Sequence, residues 1–104
     1  MKGFATRMKP PHPGEVLRHD YLEPLRMTSK ALAVAIRVPA SRMGAIVNGK
    51  RSVTAPTAMR LARYFGSSAR FWLNLQSYYD LAIAEDEQGA EVERDVQPRE
   101  MATA

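Results

Sequence analysis

Two sets of residues in this 104-residue chain are of types that do chemistry, and they imply different chemistry. His12 and His19 stand seven positions apart, with Glu15 and Asp20 beside them. On one helix the two imidazoles could share a face, the minimum for a metal site or a proton-transfer pair. A histidine at a helix start and a second on a solvated face account for them more simply. No cysteine, phosphate-binding glycine loop, serine elbow or paired-carboxylate pocket accompanies them. The expectation is therefore no enzyme, no cofactor and no metal.

The second set is the stretch "ASRMGAIVNGKR", Ala40 to Arg51. Met43, Ile46 and Val47 fall at helical spacing and share one apolar face. The opposite face carries Ala40, Ser41, Gly44 and Ala45, although a helical glycine costs roughly 1 kcal/mol relative to alanine. Asn48, Lys50 and Arg51 close the segment. A bare helix face followed by cations suits a groove lined with phosphates. Small side chains admit the helix to a major groove about 12 Å wide, and alanine can pack against a thymine methyl. Ser41 can bond a base or a phosphate, and Arg42 can reach guanine or a phosphate. Asn48, Lys50 and Arg51 would meet phosphates, which position without specifying sequence. An alanine-rich face can also reflect helix propensity alone, and Asn-Gly is an ordinary helix stop.

Helices must hold this segment in place. Pro13 in the first turn and Glu15 near the positive dipole end open a helix at "HPGEVLRHDYL". Its apolar side is Val16, Leu17, Tyr21 and Leu22, and Pro24 is expected to stop it. Thr28 or Ser29 caps a second helix, "KALAVAI", with Leu32, Ala33 and Ile36 inward. The turn "RVP" leads into a third helix near Pro39, closed by Gly49 in the left-handed conformation. Thr54 caps a fourth, "APTAMRLARYF", which ends at Gly66. Ser67 or Ser68 caps a fifth, "ARFWLNLQSYYDLAIAE". The chain shows no strand signal and no internal repeat. Helices two and three, joined by a three-residue turn, form a helix-turn-helix. In it Ala33 permits close approach, Val38 plugs the angle, and Met43 and Ile46 lock onto Leu32 and Ile36.

Charge divides the chain. Through Ala84, 13 cations oppose four acids, a net of +9; from Glu85 onward two cations oppose seven acids, a net of −5. A basic body suits a polyanion partner, and an acidic tail suits a basic protein. No apolar run approaches the ~18 residues of a membrane span. The basic N-terminus lacks the apolar centre of a secretory signal. These features fit a cytoplasmic protein without a membrane partner. The domain reading is a mobile basic arm over 1–11, a helix-turn-helix domain over 12–85, and an acidic, disordered tail over 86–104.

From His12 to about Leu81 the chain resembles the HigA antitoxins of the Xre-like helix-turn-helix family. The carrying residues are "HPGEVL…YLEPL", "ALAVAI", "IVNGKRSVTAPTAMRLARYFG" and "FWLNLQSYYDL". The resemblance implies an all-α fold, a five-helix bundle of the lambda-repressor-like type with a flexible acidic C-terminal tail. It implies an antitoxin that binds double-stranded operator DNA as a homodimer and represses its own operon. It also implies a partner, a small basic RNase toxin of the HigB type. On that reading Lys30, Pro39, Ala40, Ser41, Arg42, Gly44, Ala45, Asn48, Lys50 and Arg51 form the DNA-binding surface. The chain departs from the family pattern at several of these. Arg37 stands where a glycine usually makes the turn, and Ser29 replaces a phosphate-contacting glutamine, leaving Lys30 or backbone N–H groups to substitute. Pro39 replaces a capping serine or threonine, and Ala40 and Ala45 replace longer polar residues.

In the fifth helix Phe71, Leu75 and Tyr78 form one stripe, and Trp72, Tyr79 and Ile83 another. Half of this surface should close the core. The rest is expected at a dimer interface, where aromatic residues are enriched; which stripe faces the partner is left open. Two other readings also remain open. One is a stand-alone helix-turn-helix repressor without a toxin. The other is a toxin-neutralising interaction protein with little specific DNA binding.

Overall fold

The computed structural model describes residues 9–101. Residues 1–8 of the expected basic arm lie outside the described residues. Among the described residues the chain is all-helical, and five helices carry the architecture.

The first, α1, is a composite: Pro13–Val16 is α-helical, Leu17–Leu22 is π-helical, and Glu23–Leu25 is α-helical again. His12 caps it, the Gly14 N–H donating to His12 Nδ1 at 2.9 Å. The helix does not stop at Pro24 as expected; it runs on to Leu25. A proline removes one N–H and clashes with the carbonyl four residues back. The wide π stretch just upstream relieves both, as the Glu23 N–H reaches back five residues to the Arg18 carbonyl. Arg26 ends the helix in the left-handed region at φ 53°, and the Met27 N–H donates to the Leu22 carbonyl at 2.9 Å.

Helix α2 spans Ser29–Ile36, capped by Thr28, whose Oγ1 accepts from the Ala31 N–H at 3.0 Å. Arg37 then takes φ 63°, the left-handed conformation, at the turn position where the resembled family usually has glycine. That geometry costs a residue with a Cβ roughly 1–2 kcal/mol. It is offset by satisfied carbonyls: Val38 N–H donates to Ala33 O, and Arg60 Nη1 donates to Ile36 O, each at 3.0 Å. Helix α3 spans Ala40–Val47 and ends through Gly49 at φ 75°.

Helix α4 spans Ala55–Phe65. Thr54 stands at its N-cap in extended conformation, but its side chain makes no capping bond. Pro56 at the second helical position has removed one of the two N–H groups that such a cap serves. Gly66 closes the helix at φ 73°. Helix α5 spans Ala69–Asp95, with Ser68 Oγ accepting from the Phe71 N–H at 3.0 Å.

At 27 residues α5 is about 40 Å long, and its second half runs on past Asp86, where the fading periodicity left disorder or marginal helix as the expectation. Helix continues to Asp95 because alanine, glutamate, glutamine and arginine favour it and extension needs no new nucleus. This half is mostly exposed, and Lys9 Nζ meets Asp86 Oδ2 there at 3.2 Å.

The core is assembled from Leu17, Leu32, Met43, Ile46, Leu61 and Trp72, all fully buried. Ala33 and Val38 are buried in the same cluster, as their expected roles in the turn require. Tyr21 bridges Phe65 and Trp72, with ring centroids 4.6 and 5.3 Å away. Where α1 crosses α3, Gly14 lies directly on the Ile46 carbonyl, and a Cβ there would overlap that oxygen. Overlap with backbone cannot be relieved by a rotamer change. Gly14→Ala is accordingly expected to lower unfolding free energy by about 2–3 kcal/mol in urea titration, within the usual range for overpacking.

Candidate nucleic-acid interface

Helix α3 is held from behind and bare in front. Met43, Ile46 and Val47 are buried against the core, while Pro39, Ala40, Ser41 and Arg42 are exposed. Gly44 and Ala45 are half-buried, and Asn48, Lys50 and Arg51 are exposed again. A Cβ added at Gly44 would meet nothing within 4 Å. Packing inside this chain therefore does not require glycine there. Lys30 lies exposed in the first turn of α2. The helix-turn-helix thus presents small residues at the centre of one surface and cations at its edge.

The cationic segment is tied at both ends. Lys50 N–H donates to the Ala45 carbonyl at 2.8 Å, closing α3 around Gly49. Beyond it, the Val53 N–H donates to Gln76 Oε1 of α5, also at 2.8 Å. Gln76 is buried, and its Nε2 donates to Asp80 Oδ1 at 2.9 Å. Gln76 is not among the site residues expected from sequence. Its signal was available: an amide four residues after Trp72, on the stripe that faces the core.

The two histidines part company. His12 is buried at the start of α1, edge-on to Tyr79 with centroids 5.0 Å apart. His19 is exposed and pairs with Glu23 at 3.3 Å. Among the described residues no group of three or more histidine, cysteine or acidic residues is gathered in metal-binding geometry. Burial holds the His12 imidazole below its ordinary pKa; the Asp80 carboxylate, the Arg51 backbone and Glu15 act in the opposite direction.

The aromatic stripes of α5 also resolve. Trp72 is fully buried, its Nε1 donating to Ser67 Oγ at 3.0 Å, so it closes the core and cannot line a surface as expected. Tyr79 and Ile83 are half-buried on the same side. Phe71 and Tyr78 are exposed with Leu75 half-buried between them, and Leu81, which the pattern reading omitted, extends this outer stripe.

A helix-turn-helix family profile matches residues 19–72, from α1 into the start of α5. The chain belongs to this family. It is 51% identical over 76 residues to virulence-associated protein I of Dichelobacter nodosus, covering 73% of this chain and 70% of that one. Antitoxin HigA-1 of Vibrio cholerae is 42% identical over 76 residues, covering 73% and 71% respectively. The Pseudomonas aeruginosa antitoxin HigA, solved with the higBA promoter, superposes with a TM-score of 0.84 at 43% identity, covering 86% of this chain and 98% of that one. The chain is thus one of the HigA-type antitoxins of this family, and the shared fold is all-helical. Among the described residues no helix is long and apolar enough to cross a membrane.

The buried His12 generates a pH prediction. Its folded pKa lies below the unfolded value of about 6.5, so the unfolded chain binds more protons in that range. Its contribution is complete above about pH 6.5 and is lost as pH falls through that value towards the folded pKa. Asp80 and Glu15 reduce the effect, and Lys50 and Arg51 are the neighbouring cations. His12→Asn keeps a capping acceptor without titrating. Thermal melts from about pH 7 to 5 should fall more steeply for the natural chain than for His12→Asn.

Proposed function

We propose that this chain is an antitoxin that binds double-stranded operator DNA as a homodimer, represses its own operon and neutralises a small basic RNase toxin. The observation that carries the DNA reading is the bare outer face of α3. At Gly44 it gives up helix stability although the space around it is open. That sacrifice makes sense where another molecule must approach the backbone.

In this reading Ala40, Ser41, Gly44 and Ala45 enter the major groove, where their small size permits close contact with base edges. Ser41 donates or accepts at an edge, and Arg42 reaches guanine. Pro39 opens the helix at the groove wall, and Lys30, Asn48, Lys50 and Arg51 hold phosphates. The P. aeruginosa relative solved with the higBA promoter supports the DNA-binding reading, as does antitoxin GraA in complex with its operator. GraA in that complex superposes with a TM-score of 0.84 at 37% identity.

Dimerisation through the outer stripe of Phe71, Leu75 and Tyr78, extended by Leu81, would set two α3 helices about 34 Å apart, one turn of DNA. Trp72 takes no direct part in it. Toxin neutralisation rests on the antitoxin relatives, and the acidic end of α5 offers complementary charge to a basic protein. Operator binding of this kind is an activity of the cytoplasm.

The test is selection of duplexes from a random library, followed by anisotropy titration of the enriched and a scrambled duplex across a salt series. Preference of ~10³-fold or more is expected of a sequence-specific repressor; equal binding to both would overturn that role. Lys50→Ala should weaken both duplexes alike and lower the salt slope by about 1. Arg42→Ala should cost ~1–3 kcal/mol on the enriched duplex alone. Gly44→Ala should separate two quantities, raising stability in urea by about 0.5–1 kcal/mol while weakening DNA binding.

A further inference from the structure

The segment between α3 and α4 carries exposed Lys50 and Arg51, and α3 holds only its first end. Its first anchor is the Lys50 N–H on the Ala45 carbonyl. Its second is the Val53 N–H, which finds its acceptor 23 residues away in the side chain of Gln76. Only Lys50, Arg51 and Ser52 lie from one anchored amide to the next, and all three are exposed. Val53 itself is buried, so its N–H cannot turn to water and must reach a protein acceptor.

Resting on the DNA-binding reading above, we infer that Gln76 is a positioning residue for the phosphate contacts, acting through Val53 to set where Lys50 and Arg51 stand. An amide suits this place because it presents one acceptor and two donors. Its oxygen takes the Val53 N–H while its nitrogen donates to Asp80 Oδ1 at 2.9 Å, which fixes the amide's orientation. A carboxylate at position 76 could accept from Val53 but would face Asp80 with like charge. A hydrocarbon would leave the Val53 N–H without a partner. Asp80 lines the same shallow depression as His12, Lys50 and Arg51, so the chain from carboxylate to amide to backbone lies directly beneath the cationic segment. The helix that bears Gln76 is α5, outside the helix-turn-helix itself. Correct phosphate contact is thereby a property of the whole domain.

The experiment uses the full chain and two probes, the enriched duplex and its scrambled counterpart. Gln76→Leu removes the clamp. The exchange Gln76→Glu with Asp80→Asn keeps it with donor and acceptor reversed, since an asparagine amide at position 80 can donate to the new carboxylate. Gln76→Leu should weaken both duplexes by about tenfold and lower the salt slope by about 1, because fewer phosphates are engaged. Gln76→Glu alone should be similarly impaired, and the exchanged pair should return affinity and slope to within about twofold of the natural chain. Amide exchange at Val53, followed by NMR, should accelerate in Gln76→Leu and slow again in the exchanged pair.

A folded Gln76→Leu with natural affinity and slope overturns the inference, as does an exchanged pair that protects Val53 but leaves binding impaired. If Gln76→Leu does not fold, Gln76→Glu and the exchanged pair decide by the same criteria. Natural protein that binds neither duplex removes the DNA reading and this inference together. Natural binding with indifferent Gln76 variants removes this inference alone.

Discussion

The crossing of α1 over α3 depends on a single missing methyl group. Gly14 sits on the Ile46 carbonyl so closely that no side chain fits between the two backbones. This contact fixes the depth of α3 in the bundle from the face opposite the proposed DNA surface. Ile46 and Met43 are then driven fully into the core, and the small residues on the other side are left outward. His12 caps α1 within two residues of the crossing, and its ring reaches Tyr79 of α5. One turn of helix therefore registers α1, α3 and α5 against each other.

Helix ends make up the second constraint. Arg26, Arg37, Gly49 and Gly66 all adopt positive φ, and each is followed by an N–H that reaches back five residues to a helix carbonyl. This arrangement lets the chain reverse within two or three residues without leaving the last carbonyls unsatisfied. Two of the four positions are arginines, which adopt this conformation at a cost. At Arg37 the surrounding structure compensates: Val38 is buried in the core and Arg60 donates to the carbonyl just before the turn. The helix-turn-helix angle is thus stabilised from α4 as well as by the turn itself.

Helix α5 has three regions with different physical roles. Trp72 is its contribution to the core, Gln76 its link to the cationic segment, and Phe71, Tyr78 and Leu81 its free apolar surface. Past Ala84 it carries little beyond charge and intrinsic helix propensity. The contrast explains why a single periodicity could not describe it: one face packs into the core, another stays apolar and exposed, and the final turns do neither.

Most of the architecture was legible in local sequence. Five helices, the left-handed Gly49, the helix stop at Gly66, a cap at Thr28 or Ser29 and the inward face of α3 all follow from spacing, capping chemistry and backbone sterics. These act over a few residues, so one chain segment contains the whole cause. Misreadings arose where a local rule met a distant or compensating partner. Pro24 was read as a stop because its π-helical accommodation lies in Leu17–Leu22, and nothing in that composition announces a widened turn. Trp72 and Phe71 are neighbours with similar hydrophobicity, and only the packing of α5 against the other helices assigns one to the core and the other to the surface. Gln76 could be seen as polar on an apolar stripe, but its partner is a backbone N–H 23 residues earlier. By itself the sequence determined which segments are helical and which small and cationic residues share a face, because those are properties of local geometry. The tertiary structure alone decided how deeply α3 lies, which aromatic stripe is free and what holds the cationic segment, because each depends on the distance between groups that the chain does not place near one another.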